Sequence, residues 1–491
     1  MTKPVAADLD RSLQAAARAA SNAHPDETGV YLLDDGQDAF AARMLLAQQA
    51  QHTLDIQYYI WRHDRTGTLL FEAIHAAAER GVRVRLLLDD HNTAGMDPLL
   101  IGLESHPNIQ VRLFNPLRIR WPRAFNYLTN FNRANRRMHN KAFIADESVL
   151  ITGGRNIGDE YFGAADALLF ADLDALMVGQ AVQQIHFEFE EYWRSPATTS
   201  VRKLFTLRKP EHLDELSQRA QLVEQDPAAQ KYIQAIQRLP LLHDLIHRRV
   251  EFTWAQVNVV SDDPAKGLGQ VHGRELLSNQ LQSAIGIPKR QLTLVSPYFV
   301  PTLAGFSELQ KLAQAGVNMT ILTNSLEATD VAIVHAGYAK WRKGMLRAGI
   351  RLFELQRQTV LSPRARRKER RERLKGKERI GQAASSLHAK TFTVDKIRVF
   401  IGSFNFDPRS MQLNTELGVV IHSRSLAERI HQRFHEEVAR YAYELRLNGK
   451  RLEWIEFLGD STITHTREPG ASIWRRLSSI VLSWLPIDWL L

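Results

Sequence analysis

MHNKAFIADESVLITGGRN (residues 138–156) and LHAKTFTVDKIRVFIGSFN (residues 387–405) carry four residues at matching offsets. These are His139, Lys141, Asp146 and Asn156 in the first, and His388, Lys390, Asp395 and Asn405 in the second. HNKAFIAD and HAKTFTVD read as extended strands, so the His and Lys of each, two residues apart, project from one face. A lysine ammonium beside an imidazole disfavours the imidazolium, which keeps the ring neutral and nucleophilic. Two imidazoles, two ammoniums and two amides together suit an anion with several oxygens, and a phosphate diester fits that set.

The surrounding sequence repeats as well. A strand HTLDIQYYIW (52–61), a helix TLLFEAIHAAAERG (68–81) and a strand VRVRLLLDD precede the first motif. RQLTLVSPYFVP (290–301), ELQKLAQAG (308–316) and VNMTILTNS (317–325) precede the second in the same order. Downstream, ADLDALMVG (171–179) corresponds to TELGVVIHS (415–423), which sets Asp172 opposite Glu416. The chain therefore reads as two pseudo-symmetric α/β halves, each a mixed sheet flanked by helices, sharing one central cleft. The expected divisions are an N-terminal helical segment 1–29, a first half 30–196, a helical connection 197–250 bridging the halves, a second half 251–445, and a tail 446–491.

In one cleft, one histidine would attack phosphorus and the other would protonate the leaving oxygen, the roles reversing when an acceptor hydroxyl enters. Lys141, Lys390, Asn156 and Asn405 would hold the non-bridging oxygens. Asp172 and Glu416 would each accept a hydrogen bond from the far nitrogen of a catalytic histidine. Asp146 and Asp395 are expected to orient the local loops or pair with lysine. This chemistry calls for no cofactor and no metal. A single His-x-Lys-x4-Asp match carries little weight, but two copies with matched Asn and acidic residues inside a duplicated framework are hard to obtain by chance.

At these residues the chain resembles the phospholipase D superfamily, over about residues 30–445. The resemblance implies His139 as nucleophile and His388 as general acid. The first motif departs from the second at Gly154, where the second has Ser403; if that hydroxyl holds phosphate or histidine, one half alone supplies it. HTLDIQYYIW, GVRVRLLLDD, RRMHNKAFIAD, GGRNIGDEYF and GSFNFDPRS look like the bacterial cardiolipin synthase C branch. That resemblance implies transfer of a phosphatidyl group to phosphatidylglycerol, with phosphatidylethanolamine as donor. The motif itself leaves open a hydrolase of the same superfamily, phospholipase D or nuclease, because the cleft selects the acceptor. A membrane-binding protein without catalysis is disfavoured by the intact duplicate motif.

Composition narrows the setting. With 491 residues, 44% hydrophobic and 24% charged, the chain is long enough for two folded halves. It has no cysteine, which excludes disulfides, thiolate metal sites and cysteine nucleophiles. No signal-peptide core and no run of some eighteen apolar residues is present, so a cytoplasmic, non-spanning protein is the default expectation, and the resemblance implies a peripheral protein on the cytoplasmic side of the bacterial inner membrane. The formal charge of +9 is concentrated in SPRARRKERRERLKGKERIG (362–381), ten Lys or Arg against three Glu, which reads as a solvated surface segment or as a contact for a phosphate-rich surface, either nucleic acid or an anionic membrane surface. The end of the chain places Ile473, Trp474, Leu477, Ile480, Val481, Trp484 and Leu485 on one helical face, with Trp489 beyond, which is expected to be an interfacial anchor, with core packing as the alternative. In RIRWPRAFNYLTNFNRANRR (118–137) basic and aromatic residues interleave just before the first motif, a surface for substrate entry or, alternatively, for single strands. Nucleic acid is the less expected partner, and no obligate protein partner is indicated. Asp89, Asp90 and His91 read as solvent-facing loop residues, and Tyr58 and Tyr298 as matched repeat positions.

Overall fold

In the computed structural model the described residues are 12–163, 172–357 and 387–483, apart from single positions 207, 248, 272, 330 and 460. The first half contributes β1 (Thr28–Leu33), β2 (Thr53–Tyr58), β3 (Arg83–Asp89), β4 (Ile109–Phe114), β5 (Ala142–Ala145), β6 (Val149–Gly153), β7 (Asp174–Gly179) and β8 (Thr198–Ser200). The second contributes β9 (Thr253–Ser261), β10 (Gln291–Val295), β11 (Asn318–Asn324), β12 (Arg351–Leu355), β13 (Thr391–Val394), β14 (Arg398–Gly402), β15 (Leu417–His422), β16 (Ala442–Asn448), β17 (Arg451–Leu458) and β18 (Ser461–His465).

The first sheet has the order β1-β7-β6-β5-β2-β3-β4-β8, and the second β9-β15-β14-β13-β10-β11-β12-β16-β17-β18. In each, three consecutive strands run parallel (β2-β3-β4 and β10-β11-β12) and the remaining pairings are antiparallel, so both sheets are mixed. β9 joins them: its first residues pair with β1 (Thr28↔Ala255, Val30↔Thr253) and the rest with β15 (Leu417↔Ser261).

β5 and β6 are buried on both faces, which accounts for their nearly unbroken apolar runs, whereas β2 (TLDIQY) is equally buried but alternates, its Asp55 paired with Arg85. The two sheets face each other across a shared core that includes Ile144, Leu150 and Met177 from one half and Val399, Ile401 and Val419 from the other. Each outer face has its own core beneath helices.

Three boundaries differ from expectation. The first sheet continues past residue 196, because β8 pairs with the edge of β4. The helices Leu213–Gln225, Gln230–Arg238 and Leu241–Ile246 do not bridge the halves. They pack on the first-half helices Arg65–Glu79, Gly36–Gln49 and Leu13–Ser21, since Leu216, Ala220, Tyr232, Leu242 and Leu245 complete that outer core. The second sheet runs beyond residue 445 through β16, β17 and β18, so the tail begins as a sheet edge.

After it comes the helix Ile473–Ser483. It lies on the helix Ala332–Ala339 with Ser479 buried and Arg475 donating to the Thr329 carbonyl, while Ile473, Trp474, Leu477 and Val481 are exposed. Trp484, Leu485, Trp489 and the Ile480 side chain lie outside the described residues, as does the basic insert 362–381, which falls between β12 and β13. No helix among the described residues is long and apolar enough to cross a membrane.

Candidate active site

Each motif begins as the chain turns into β5 or β13, the strands paired antiparallel to β2 and β10. The turn after each strand holds its aspartate at positive φ, 49° for Asp146 and 54° for Asp395. There the carboxylate gathers three successive amides. Asp146 accepts from the backbone N–H groups of Gln51, His52 and Thr53, and Asp395 from those of Lys289, Arg290 and Gln291. Both therefore clamp the strand that leads into the site, and neither pairs with the motif lysine. This equivalence also fixes the repeat register: Thr53 matches Gln291, so Tyr58 matches Ser296 and Tyr298 matches Ile60. The two tyrosines are thus not equivalent. Tyr58 is core, its hydroxyl accepting from Arg43 Nε at 2.9 Å.

The two halves exchange carboxylates. His139 Nδ1 lies 2.8 Å from Oε2 of Glu416 in the second half, and His388 Nδ1 lies 2.8 Å from Oδ2 of Asp172 in the first. Backbone pairing enforces the crossing, because His139 N–H donates to Thr415 O and Thr415 N–H donates to Arg137 O. With both Nδ1 atoms committed, Nε2 is the remaining ring nitrogen of each histidine, and Lys390 Nζ lies 3.4 Å from that of His388. Lys141 Nζ donates to the carbonyl of His139 at 2.5 Å, and Lys390 Nζ lies 3.0 Å from His388 Nδ1.

The environments of the two histidines differ. Glu416 is buried and is pushed up to about 7 by that burial. Ser410 Oγ donates to its Oε1 at 2.8 Å, and Ser403 Oγ donates to its Oε2. Asp172 would also be raised by burial, but the hydrogen-bonded His388 and nearby Lys390 and Arg155 hold it below the ordinary carboxylate value. Arg155 further fixes its backbone by donating to Asp172 O at 2.7 Å. Burial and the ammonium groups of Lys141 and Lys390 push His139 well below the ordinary imidazole value. His388 is lowered by burial and Lys390 but opposed by Asp172. Lys141 itself is brought down to about 7 by burial and by Lys390. Charges from one half thus act on the histidine and lysine of the other, as they must in a single chamber.

Gly154 now has a physical reason. A Cβ there would fall 2.0 Å from Asp172 Oδ1, so the space that the Ser403 side chain occupies in one half is filled by the shorter acid's carboxylate in the other. Ser403 itself holds Glu416 rather than a histidine. Asn156 Oδ1 accepts from Ile60 N–H at 3.1 Å, while its Nδ2 is buried without a hydrogen-bond partner; Oδ1 of Asn405 is likewise buried and unpartnered.

Several residues at the site were not anticipated. Asp89 and Asp90 are fully buried rather than solvent-facing, and Asp89 Oδ2 accepts from Met138 N–H at 2.8 Å. Asn324, at the equivalent end of β11, accepts from Leu387 N–H at 3.0 Å and donates to Leu387 O at 3.2 Å. The pair thus positions the residue before each histidine. Both close the third strand of the repeat, a matched position that marks them as equivalent but not as buried. Tyr59 and Tyr161 stand edge-on to His139 and His388, with ring centroids 4.9 and 5.0 Å apart. His91 is exposed and meets Tyr127 Oη at 3.0 Å.

Two pseudo-symmetric halves that exchange carboxylates across paired His and Lys residues define a phospholipase D-like enzyme. The chain belongs to the family described as "Cardiolipin synthase, PLD-like domain", which matches residues 45–193 and 279–438, and it is a phosphatidyltransferase of the phospholipase D type. It is 44% identical over 469 residues to cardiolipin synthase C of Escherichia coli K12, covering 95% of this chain and 97% of that one. It is 25% identical over 407 residues to a cardiolipin synthase of Geobacillus thermodenitrificans, covering 83% of this chain and 65% of that one. Among solved structures, the phosphatidylserine synthase of Haemophilus influenzae shares the fold, with a TM-score of 0.59 at 13% identity over 97% of this chain and all of that one.

Proposed function

We propose that the protein makes cardiolipin, transferring a phosphatidyl group from phosphatidylethanolamine to a hydroxyl of phosphatidylglycerol through a phosphohistidine. The crossed histidine–carboxylate pairs carry this reading. His139, neutral in its buried setting, attacks phosphorus through Nε2. The P–O bond to ethanolamine breaks, and the leaving oxygen takes its proton from Nε2 of His388. The acceptor hydroxyl then gives its proton to His388 and attacks phosphorus, the P–N bond breaks, and His139 is regenerated. Lys141, Lys390, Asn156 and Asn405 hold the non-bridging oxygens, and the buried unpartnered amide of Asn156 supports that role.

The role assignment rests on the asymmetry of the acids. Asp172, kept anionic, stabilises the imidazolium that an acid requires, whereas Glu416, raised to about 7, does less to protonate His139. His388 is also the more open of the two, its side chain 22% exposed against 8% for His139. We place the enzyme peripherally on the cytoplasmic face of the inner membrane; the exposed apolar side of the helix Ile473–Ser483 supports a membrane contact.

The test supplies labelled phosphatidylglycerol with and without phosphatidylethanolamine. Cardiolipin that forms only with both supports the proposal. Phosphatidic acid alone would make the protein a hydrolase, and nicked DNA a nuclease. His139→Ala should abolish the covalent phosphoenzyme, while His388→Ala slows its formation; phosphate trapped on His388 in the His139→Ala protein would reverse the roles.

A further inference from the structure

Between β4 and β5 the chain makes an excursion whose tip exposes Trp121 (86%), Phe125 (51%), Leu128 (81%) and Phe131 (43%). Four large apolar side chains within eleven residues is a costly surface to leave in water. The excursion is nevertheless firmly held at its base. Arg120 pairs with the buried Asp90 and Asp97, Arg123 donates to Asp90 O at 2.7 Å, and the Asn126 amide both accepts from Ile119 N–H and donates to Ile119 O. It is a rigid projection with an apolar tip.

Its cations divide into two groups. Arg120 and Arg123 are consumed by Asp90 and Asp97, and Arg136 donates to Asn132 Oδ1 and to the Lys266 and Gln412 carbonyls, whereas Arg118 and Arg133 have no carboxylate partner among the described residues and are neighbours of one another. An apolar tip flanked by unneutralised arginines complements an anionic bilayer, with hydrocarbon for the tip and headgroup phosphates for the guanidiniums. The excursion also ends at the chemistry. Tyr127 Oη meets His91, the Asn135 carbonyl and side chain accept from Arg409, and Arg137 O pairs with Thr415 beside His139.

We propose that the excursion 118–137 is a bilayer-inserting element. It lowers Trp121, Phe125, Leu128 and Phe131 into an anionic leaflet, so that lipid enters the cleft from the membrane beside the first motif. The inference rests on the phospholipid-transfer reading above, but its test reads insertion and not turnover.

The chain contains no cysteine, so Leu128→Cys provides a unique site for an environment-sensitive fluorophore in the otherwise complete protein. Leu222→Cys on the helix Leu213–Gln225, 68% exposed in the wild type, is the control. With vesicles of phosphatidylethanolamine and phosphatidylglycerol, the probe at 128 should shift to the blue and be quenched by nitroxides on the lipid chains. The probe at 222 should do neither, and purely phosphatidylcholine vesicles should give a smaller shift at 128. A water-like probe at 128 in the presence of phosphatidylglycerol vesicles, whether or not the protein floats with them, overturns the proposal. So does an equal shift produced by single-stranded DNA, which would make the excursion a nucleic-acid grip. Insertion without cardiolipin formation would leave this inference standing and remove the proposed reaction.

Discussion

Making the two motifs alike should harm the enzyme. Gly154→Ser copies the second motif's Ser403 into the first, and repeat symmetry alone would call it conservative. The new Cβ, however, would sit 2.0 Å from Asp172 Oδ1 and 3.1 Å from Cγ, where ordinary contact is 3.4 Å or more. The carboxylate must therefore retreat by more than an ångström. Its hydrogen bond to His388 Nδ1, now 2.8 Å, would pass out of hydrogen-bonding range. A misplacement of about 1 Å at a reacting group costs roughly 10²-fold in rate, or about 2.7 kcal/mol at 1.36 kcal/mol per tenfold. Phosphatidyl transfer on mixed micelles should accordingly lose about two orders of magnitude in kcat, with a much smaller change in KM. Denaturant unfolding run alongside separates loss of position from loss of fold. Wild-type kcat in a folded Gly154→Ser protein would refute the view that glycine is there to admit Asp172.

Asp172→Asn removes the carboxylate that opposes the lowering of His388. Its pKa then falls further, its protonated fraction declines at lower pH, and the alkaline limb of the kcat profile should move to lower pH; an unmoved limb would dissociate Asp172 from the acid. Asp146→Ala strands the amides of His52 and Thr53 and should cost about 2–3 kcal/mol by denaturant unfolding, whereas Asp395→Ala should cost less, because the amides of Lys289 and Arg290 are open to water. Lys141, brought down to about 7, is largely neutral at pH 8, and a bound phosphodiester raises its pKa. Binding of an inert phosphonate diester at pH 8 should therefore take up protons, seen by calorimetry in buffers of different ionisation enthalpy, and Lys141→Met should abolish most of that uptake.

The twin motifs were legible because their information is local. Matched offsets set His, Lys and Asn alike in both copies, although β5 and β13 begin only at Ala142 and Thr391, so His139, Lys141, His388 and Lys390 lie in the approach to each strand and not within it. The pairing of Asp172 with Glu416 was legible too, since both lie at the same place in the repeat. Which acid serves which histidine was not. That depends on the Met138↔Thr415 bridge between halves, which no stretch of sequence encodes alone. Asp89 looked like a loop residue because strand-end acids usually are exposed; burial followed only when β3 was flanked by β2 and β4 and its carboxylate reached Met138. The error at residue 445 was avoidable. Asn448-Gly449 between two alternating runs is a hairpin turn signal, and Gly449 has φ 60°. The bridging role given to 197–250 failed because helical periodicity reveals an apolar face but not the surface that it covers.

The departures from symmetry are concentrated where the proposed two-histidine mechanism would need them. A perfectly duplicated site would give both imidazoles the same proton affinity, and neither nucleophile nor acid would be favoured. Here the longer acid, Glu416, is raised to about 7 by burial, although Ser403 and Ser410 donate to it and pull it down. The shorter, Asp172, approaches through the space at Gly154, is flanked by Arg155 and stays anionic. In the repeat, Ser410 falls at the position of Tyr161, so one half uses that site to hold an acid and the other to face His388 with a ring. Burial of Glu416 outweighs its serine hydrogen bonds, whereas the charged partners of Asp172 outweigh its burial, so the two acids settle on opposite sides of the ordinary carboxylate value. The fold supplies two equivalent histidines, and these few side chains make them inequivalent.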